Sequence, residues 1–228
     1  MSNPTQIQRS VRSATIALAA SALAILARPT TAHAQYTTAA AAAAPSIQPS
    51  NRWLDGLKAK HKQFFDNPAP SGGIALVHVY EYYETYNKAF GVKDADVNAV
   101  LTFYGGTTFF ALTDAAWAKY QIGEFLQEND PATGKPATKN PWRTSPTILG
   151  MTLPDMSIES LQKRGATLIV CNNAMEIFSG LLAAKRGLDS KTVYEDLKAN
   201  ILPGITLVPG MVIAVEQAQR AGLTYHRQ

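Results

Sequence analysis

Short apolar runs alternate with segments of helical period along most of this chain, and few architectures accommodate that alternation. "GIALVHVY" (Gly73 to Tyr80), "VNAVLTFY" (Val97 to Tyr104), "ATLIV" (Ala166 to Val170) and "GITLVP" (Gly204 to Pro209) have strand length and β-branched character. "LTYHR" (Leu223 to Arg227) adds a short fifth. Between them lie helical patterns. Tyr82, Tyr86, Ala89 and Phe90 share a face before the stop at Gly91, and Phe109, Leu112, Ala116 and Tyr120 share another. "SIESLQKRG" opens on Ser157 and closes on Gly165, and "NNAMEIFSGLLAAKRG" follows the third apolar run. "SKTVYEDLKANI" carries Val193, Leu197 and Ile201 on one side, and "GMVIAVEQAQRAG" carries Met211, Ala214, Val215 and Ala218. Runs this apolar are buried on both faces, so the pattern predicts an open three-layer α/β/α domain over 72–228, with a mostly parallel sheet of about five strands.

The remainder of the chain has a different texture. Arg9 and Arg12, the apolar stretch from Ser13 to Ala27 and the "AHA" at Ala32 to Ala34 read as an export signal (1–34), cleaved after Ala34. The stretch is too short for a bilayer-spanning helix, so no membrane attachment is expected after cleavage. A periplasmic or secreted location follows. Segment 35–50 is Ala- and Pro-rich, with no face to bury, and is expected to be a disordered linker. Trp53, Leu57, Phe64 and Phe65 give 51–65 the look of an amphipathic lead-in helix, the segment 51–71 being ended by Pro68, Pro70 and Gly72-Gly73. Segment 121–153 is rich in Pro, Thr, Asn and Gly and is expected to be an irregular insertion with a functional or oligomer-contact role.

Charge excludes one class of partner. Arg9, Arg12 and Arg28 leave with the signal, which holds no acid, so the 21 basic residues fall to 18 against 17 acidic ones. A near-neutral protein has no electrostatic footprint for nucleic acid. The four histidines form no H-x-H or H-E-x-x-H pattern and no Cys/His cluster, so no metal site is expected. His61 falls among lysines, His78 in the first apolar run and His226 near the last residue. No phosphate loop, dinucleotide fingerprint or G-x-S-x-G elbow is present, and no cofactor is expected.

What chemistry remains centres on Cys171, the sole cysteine. In open α/β sheets functional groups gather beyond the carboxyl ends of the strands, and the run Leu168 to Val170 delivers the thiol there. If a helix begins within Asn172 to Ala174, its free N–H groups point at the sulfur and favour thiolate over thiol. The alternative is a small buried core residue. Gly105-Gly106 after the second run could form an anion-binding nest or a tight strand-to-helix turn. Tyr80, Tyr82, Tyr83, Tyr86 and Tyr104 suggest a pocket wall or interface, or else a core helix edged with hydroxyls. Arg143 could clamp an anion or simply be solvated. With Asn172 and Asn173 beside the thiol, Gly105, Gly106, Tyr104 and Arg143 complete the candidate binding residues.

The chain resembles the DsrE/DsrF-like family, which has a YchN-like α/β fold. The resemblance spans about 73–225. It rests on "IALVHVY", "VLTFYGG", "LQKRGATLIVCNNAM" and the closing "ILPGITLVPGMVIAVEQAQRAGLTY". It implies a homo-oligomer, a trimer or hexamer. It also implies that Cys171 stands where sulfur-trafficking members accept sulfane sulfur as a persulfide and pass it to a thiol-bearing partner. An exported sulfur carrier, sulfurtransferase or thiol-redox relay acting through Cys171 is one expectation. A non-catalytic oligomeric binding protein with a structural Cys171 is the other.

Overall fold

The computed structural model describes residues 51–228; the segments expected to be an export signal and a linker lie outside them. The strands in chain order are β1 (His61–Asp66), β2 (Val97–Phe103), the two-residue β3 (Thr147–Ile148) and β4 (Met151–Thr152), β5 (Thr167–Cys171), β6 (Ile205–Val208) and β7 (Thr224–Arg227). Five of them form one sheet in the order β6-β5-β2-β1-β7, every pairing parallel. The helices are α1 (Ile74–Phe90), α2 (Asp114–Tyr120), α3 (Ile122–Leu126), α4 (Ile158–Lys163), α5 (Asn172–Arg186), α6 (Ser190–Ala199) and α7 (Met211–Arg220).

Strand alternation divides the core into two layers. Phe65, Leu101, Phe103, Leu168 and Val170 face one side, where they meet Leu76 and Val79 of α1, Leu161 of α4, Leu182 of α5 and Leu197 of α6. Phe64, Val100, Ile169, Cys171 and Val208 face the other, where Met211, Ala214 and Ala218 of α7 pack with Trp53 and Leu57. The architecture is therefore three-layered α/β/α. After β5 the chain leaves into α5 on the first side; after β6 it leaves into α7 on the second. This divergence makes the carboxyl ends of β5 and β6 a topological switch point.

Two expectations are corrected. The first apolar run is not a strand: Gly73 to Tyr80 enters α1, which continues unbroken to Phe90. Ala75, Leu76, Val79 and Tyr83 are its buried residues, a helical spacing that the β-branched composition disguised. The strand that fills the vacated place lies in the supposed lead-in helix. His61–Asp66 is β1, and its adjacent Phe64 and Phe65 point to opposite faces of the sheet. A strand buried on both faces loses the polar alternation that would distinguish it from a helix. The sheet domain thus includes β1 and begins well before residue 72. A smaller difference falls in "TTFFALTDAAWAKY", where 3-10 turns over Gly105–Ala111 precede α2, whose cap is Thr113.

Segment 121–153 is not wholly irregular, since α3 and the β3–β4 pair lie in it, and it is firmly packed. Ala137, Trp142 and Ile148 are buried, and the Trp142 ring stacks on Phe110 at 3.9 Å. Asn140 donates both amide hydrogens inward, to Phe110 O at 2.7 Å and Leu112 O at 2.8 Å. No helix among the described residues is long and apolar enough to cross a membrane.

Candidate functional site

Cys171 is the last residue of β5 and the N-cap of α5. Its Sγ accepts the Ala174 N–H at 3.4 Å, which is the donor arrangement the sequence pattern suggested. A second donor comes from 40 residues away: the Met211 N–H, in the first turn of α7, reaches the same sulfur at 3.3 Å. Two helix N-termini therefore converge on one sulfur at the switch point, and their orphan N–H groups place partial positive charge there. Cys171 is 5% exposed and shares a core cluster with Ile169, Ala174, Val208 and Met211. The two turns are tied together by Asn173 N–H to Pro209 O at 3.3 Å.

The flanking asparagines divide their work. Asn172 donates to Glu176 Oε1 (2.9 Å) and accepts from the Tyr194 hydroxyl (2.7 Å). Burial, reinforced by Glu176 and Glu195, pushes the Tyr194 phenol up to about 12, so it remains a donor at neutral pH. Asn173 is exposed at the rim. The β2–β5 register, which pairs Phe103 with Val170, places Tyr104 beside Cys171 at the next step. Burial and then the neighbouring Asp66 carboxylate raise the Tyr104 phenol above its ordinary range. Asp66, 5% exposed at the end of β1, also accepts the Tyr225 hydroxyl at 2.5 Å. Asp66 and Tyr225 were not found from sequence. Asp66 ends the strand that was read as helix, and Tyr225 meets it only through the β1–β7 pairing.

The glycine pair is a close-packed turn. Gly105 has φ +56, and a Cβ there would meet Pro68 O at 2.9 Å. The Gly106 N–H bonds the same carbonyl at 2.8 Å, and Thr107 Oγ1 donates to Asn67 O at 2.6 Å. These contacts lock the β2 turn against the β1 turn and use the pair for close approach. Gly105→Ala is expected to cost about 1–3 kcal/mol in urea unfolding, through the left-handed φ and the backbone contact; an unchanged midpoint would refute this account.

Arg143 is corrected from a candidate anion clamp to a staple. Its guanidinium binds Glu159 Oε1 at 2.7 Å and Asp114 Oδ2 at 2.9 Å, joining the insertion to α4 and α2. The tyrosine cluster is split by the sheet. Tyr82 and Tyr86 line a groove on the α1 side, whereas Tyr104 packs on the α7 side. His78 lies on α1, and not in a strand; His226 stands 5.1 Å from it, ring to ring. His61, placed by sequence on a solvated helical face, is in β1 with its ring 4.2 Å from Tyr86. Among the described residues, no three His, Cys, Asp or Glu side chains gather to hold a metal ion.

No family model, curated protein or solved structure matches this chain.

Proposed function

We propose that this is an exported DsrE/DsrF-like protein that carries sulfane sulfur on Cys171, working as a homo-oligomer in the periplasm or outside the cell. The observation that carries the reading is the sulfur's position at the switch point, where it accepts N–H bonds from the starts of α5 and α7. In open α/β sheets such a switch point is where ligands and functional groups gather. The Cys171 thiolate attacks the outer sulfur of a persulfide donor. One S–S bond forms as another breaks, the donor leaves as a thiolate, and Cys171 becomes a persulfide. An acceptor thiolate then takes the outer sulfur and restores Cys171, so no external oxidant is consumed. With a single cysteine the protein cannot close an internal disulfide and must hand the sulfur on. At 5% exposure, Cys171 needs a local opening before a donor can reach it.

The experiment is mass spectrometry of the mature protein after treatment with glutathione persulfide, beside Cys171→Ser. Wild type should gain the mass of one sulfur and the variant none; a wild type that gains nothing overturns the proposal.

The 5% exposure supports a second reading. Here Cys171 is a double helix cap within a non-catalytic binding protein, and the unreacted wild type is its expected result.

A further inference from the structure

The α1 side of the sheet holds a groove of about 390 Å³ that the thiol chemistry does not use. One row of α1 builds most of it. His78, Tyr82, Tyr86 and Phe90 recur at every fourth residue, so their rings succeed one another along one side of the helix. The exposed Glu81 flanks that row, and His226 of β7 lines the groove from the sheet. Phe65, almost wholly buried, backs Tyr82 edge-on at 5.5 Å. Tyr82 and Tyr86 are half-buried, and Phe90 is 69% exposed.

Ring geometry and charge narrow the occupant. Tyr82 and Tyr86 stand at 89° to each other with centroids 5.1 Å apart, and Phe90 is tilted 48° from Tyr86 at 5.7 Å. A flat ligand can stack on only one of such rings, whereas a compact, rounded one touches several. Aromatic faces carry the negative part of a quadrupole, which attracts a cation within about 6 Å of the ring centroid. Glu81 is the one acidic lining residue, and no lysine or arginine lines the groove. Lys88, the only lysine of α1, is engaged with Glu84 at 2.6 Å. Burial, followed by the adjacent His78, holds His226 below the usual imidazole range, so that ring is uncharged at neutral pH. The lining therefore combines ring faces with one unmatched carboxylate. A primary ammonium or a metal ion would surrender strong hydration here, and ring faces offer no lone pairs in exchange. A quaternary ammonium spreads its charge over methyl groups and needs none.

We propose that this groove binds a small quaternary ammonium compound of the choline type, its methyl groups against Tyr82, Tyr86 and Phe90 and its charge balanced by Glu81. The volume suits a small molecule. The site is independent of Cys171, which faces the opposite layer.

Choline is the probe, titrated into the full chain at constant ionic strength while the Tyr82 and Tyr86 ring resonances are followed by NMR. Saturable shifts with a Kd on the order of 1 mM are expected for a ligand of this size. The uncharged isostere, with carbon in place of the nitrogen, should bind at least about fivefold more weakly. Tyr82→Leu, which keeps an apolar wall but removes a ring face, should weaken choline about three- to fivefold, as should Glu81→Gln. Glu81 is exposed, so Glu81→Gln gives the deciding measurement should Tyr82→Leu not fold. Sedimentation with phosphatidylcholine vesicles separates a free ligand from a lipid headgroup: the protein should stay in the supernatant. Absence of saturable shifts, an isostere that binds as tightly as choline, undiminished binding by Glu81→Gln, or vesicle binding that choline competes away would each overturn the assignment.

Discussion

Trp117→Ala is expected to lower the unfolding free energy by about 3–5 kcal/mol, the range for deleting a wholly buried large aromatic side chain. Trp117 is completely buried in α2, its ring set edge-on to Phe110 at 5.3 Å. Phe110 in turn stacks on Trp142 of the insertion, so the three rings join the 3-10 turns, α2 and the insertion in one contact series. The indole also donates to Phe109 O at 2.9 Å, a carbonyl shared with the Leu112 N–H. The alanine variant loses the ring's transfer energy, opens a cavity that close-packed neighbours only partly fill, and removes a donor from a buried carbonyl. In urea the midpoint should fall while the m-value stays constant, and the melting temperature should drop by roughly 10 °C. Trp117→Phe should recover most of the loss, since it restores ring contact and forfeits chiefly the hydrogen bond. A loss below about 1 kcal/mol for Trp117→Ala would show that the insertion's packing is not anchored here.

Why the sequence revealed some elements and concealed others follows from the range of the interactions involved. β2, β5 and β6 were legible because each is a short apolar run bracketed by turn residues, and β7 because Thr224 and Tyr225 favour strands after the Gly222 stop. The N-terminal start of α5 was legible because an apolar run gave way to Asn172-Asn173 at once. β1 was not, because Phe64 and Phe65 fill both layers and the lysines around them imitate a helix's polar face. α1 was misread in its first half because Ile, Val and Tyr favour strands, although tertiary packing makes them one side of a helix. At the site, the Ala174 donor was local and could be inferred. The Met211 donor needed the β5–β6 pairing, and the Asp66–Tyr225 bond needed β1 beside β7. Arg143 could be assigned to neither solvent nor ligand until Asp114 and Glu159 were brought to it by the fold. Contacts between distant strands and helices are what a single sequence shows least.

Arg164→Met should destabilise the protein by about 2–4 kcal/mol near neutral pH, and the deficit should shrink in acid. Arg164 lies at the carboxyl end of α4, its side chain 17% exposed. It grips Asp94 with two bonds, Nε to Oδ2 at 2.9 Å and Nη2 to Oδ1 at 3.1 Å. It also donates to Glu84 Oε1 at 2.8 Å and Asn87 Oδ1 at 2.7 Å, while its guanidinium lies 5.0 Å from the centre of the Tyr83 ring. Methionine keeps much of the stem's packing but abandons two carboxylates, and partial exposure of Asp94 holds the cost below that of a fully buried pair. The guanidinium, bonded to Asp94, holds that carboxyl below its ordinary value. A depressed folded-state value means that the stabilisation is complete above the unfolded carboxylate's range and is lost as pH falls through the folded one. Glu84 is lowered too, first by Lys88 and then by Arg164, so its contribution has the same sign and survives in part in the variant. Urea unfolding of both proteins at about pH 7 and about pH 3 should therefore show the gap between them narrowing toward acid. A gap that does not change with pH would assign Arg164's contribution to its packing on Tyr80 and Tyr83 and remove the ion pairs from the account.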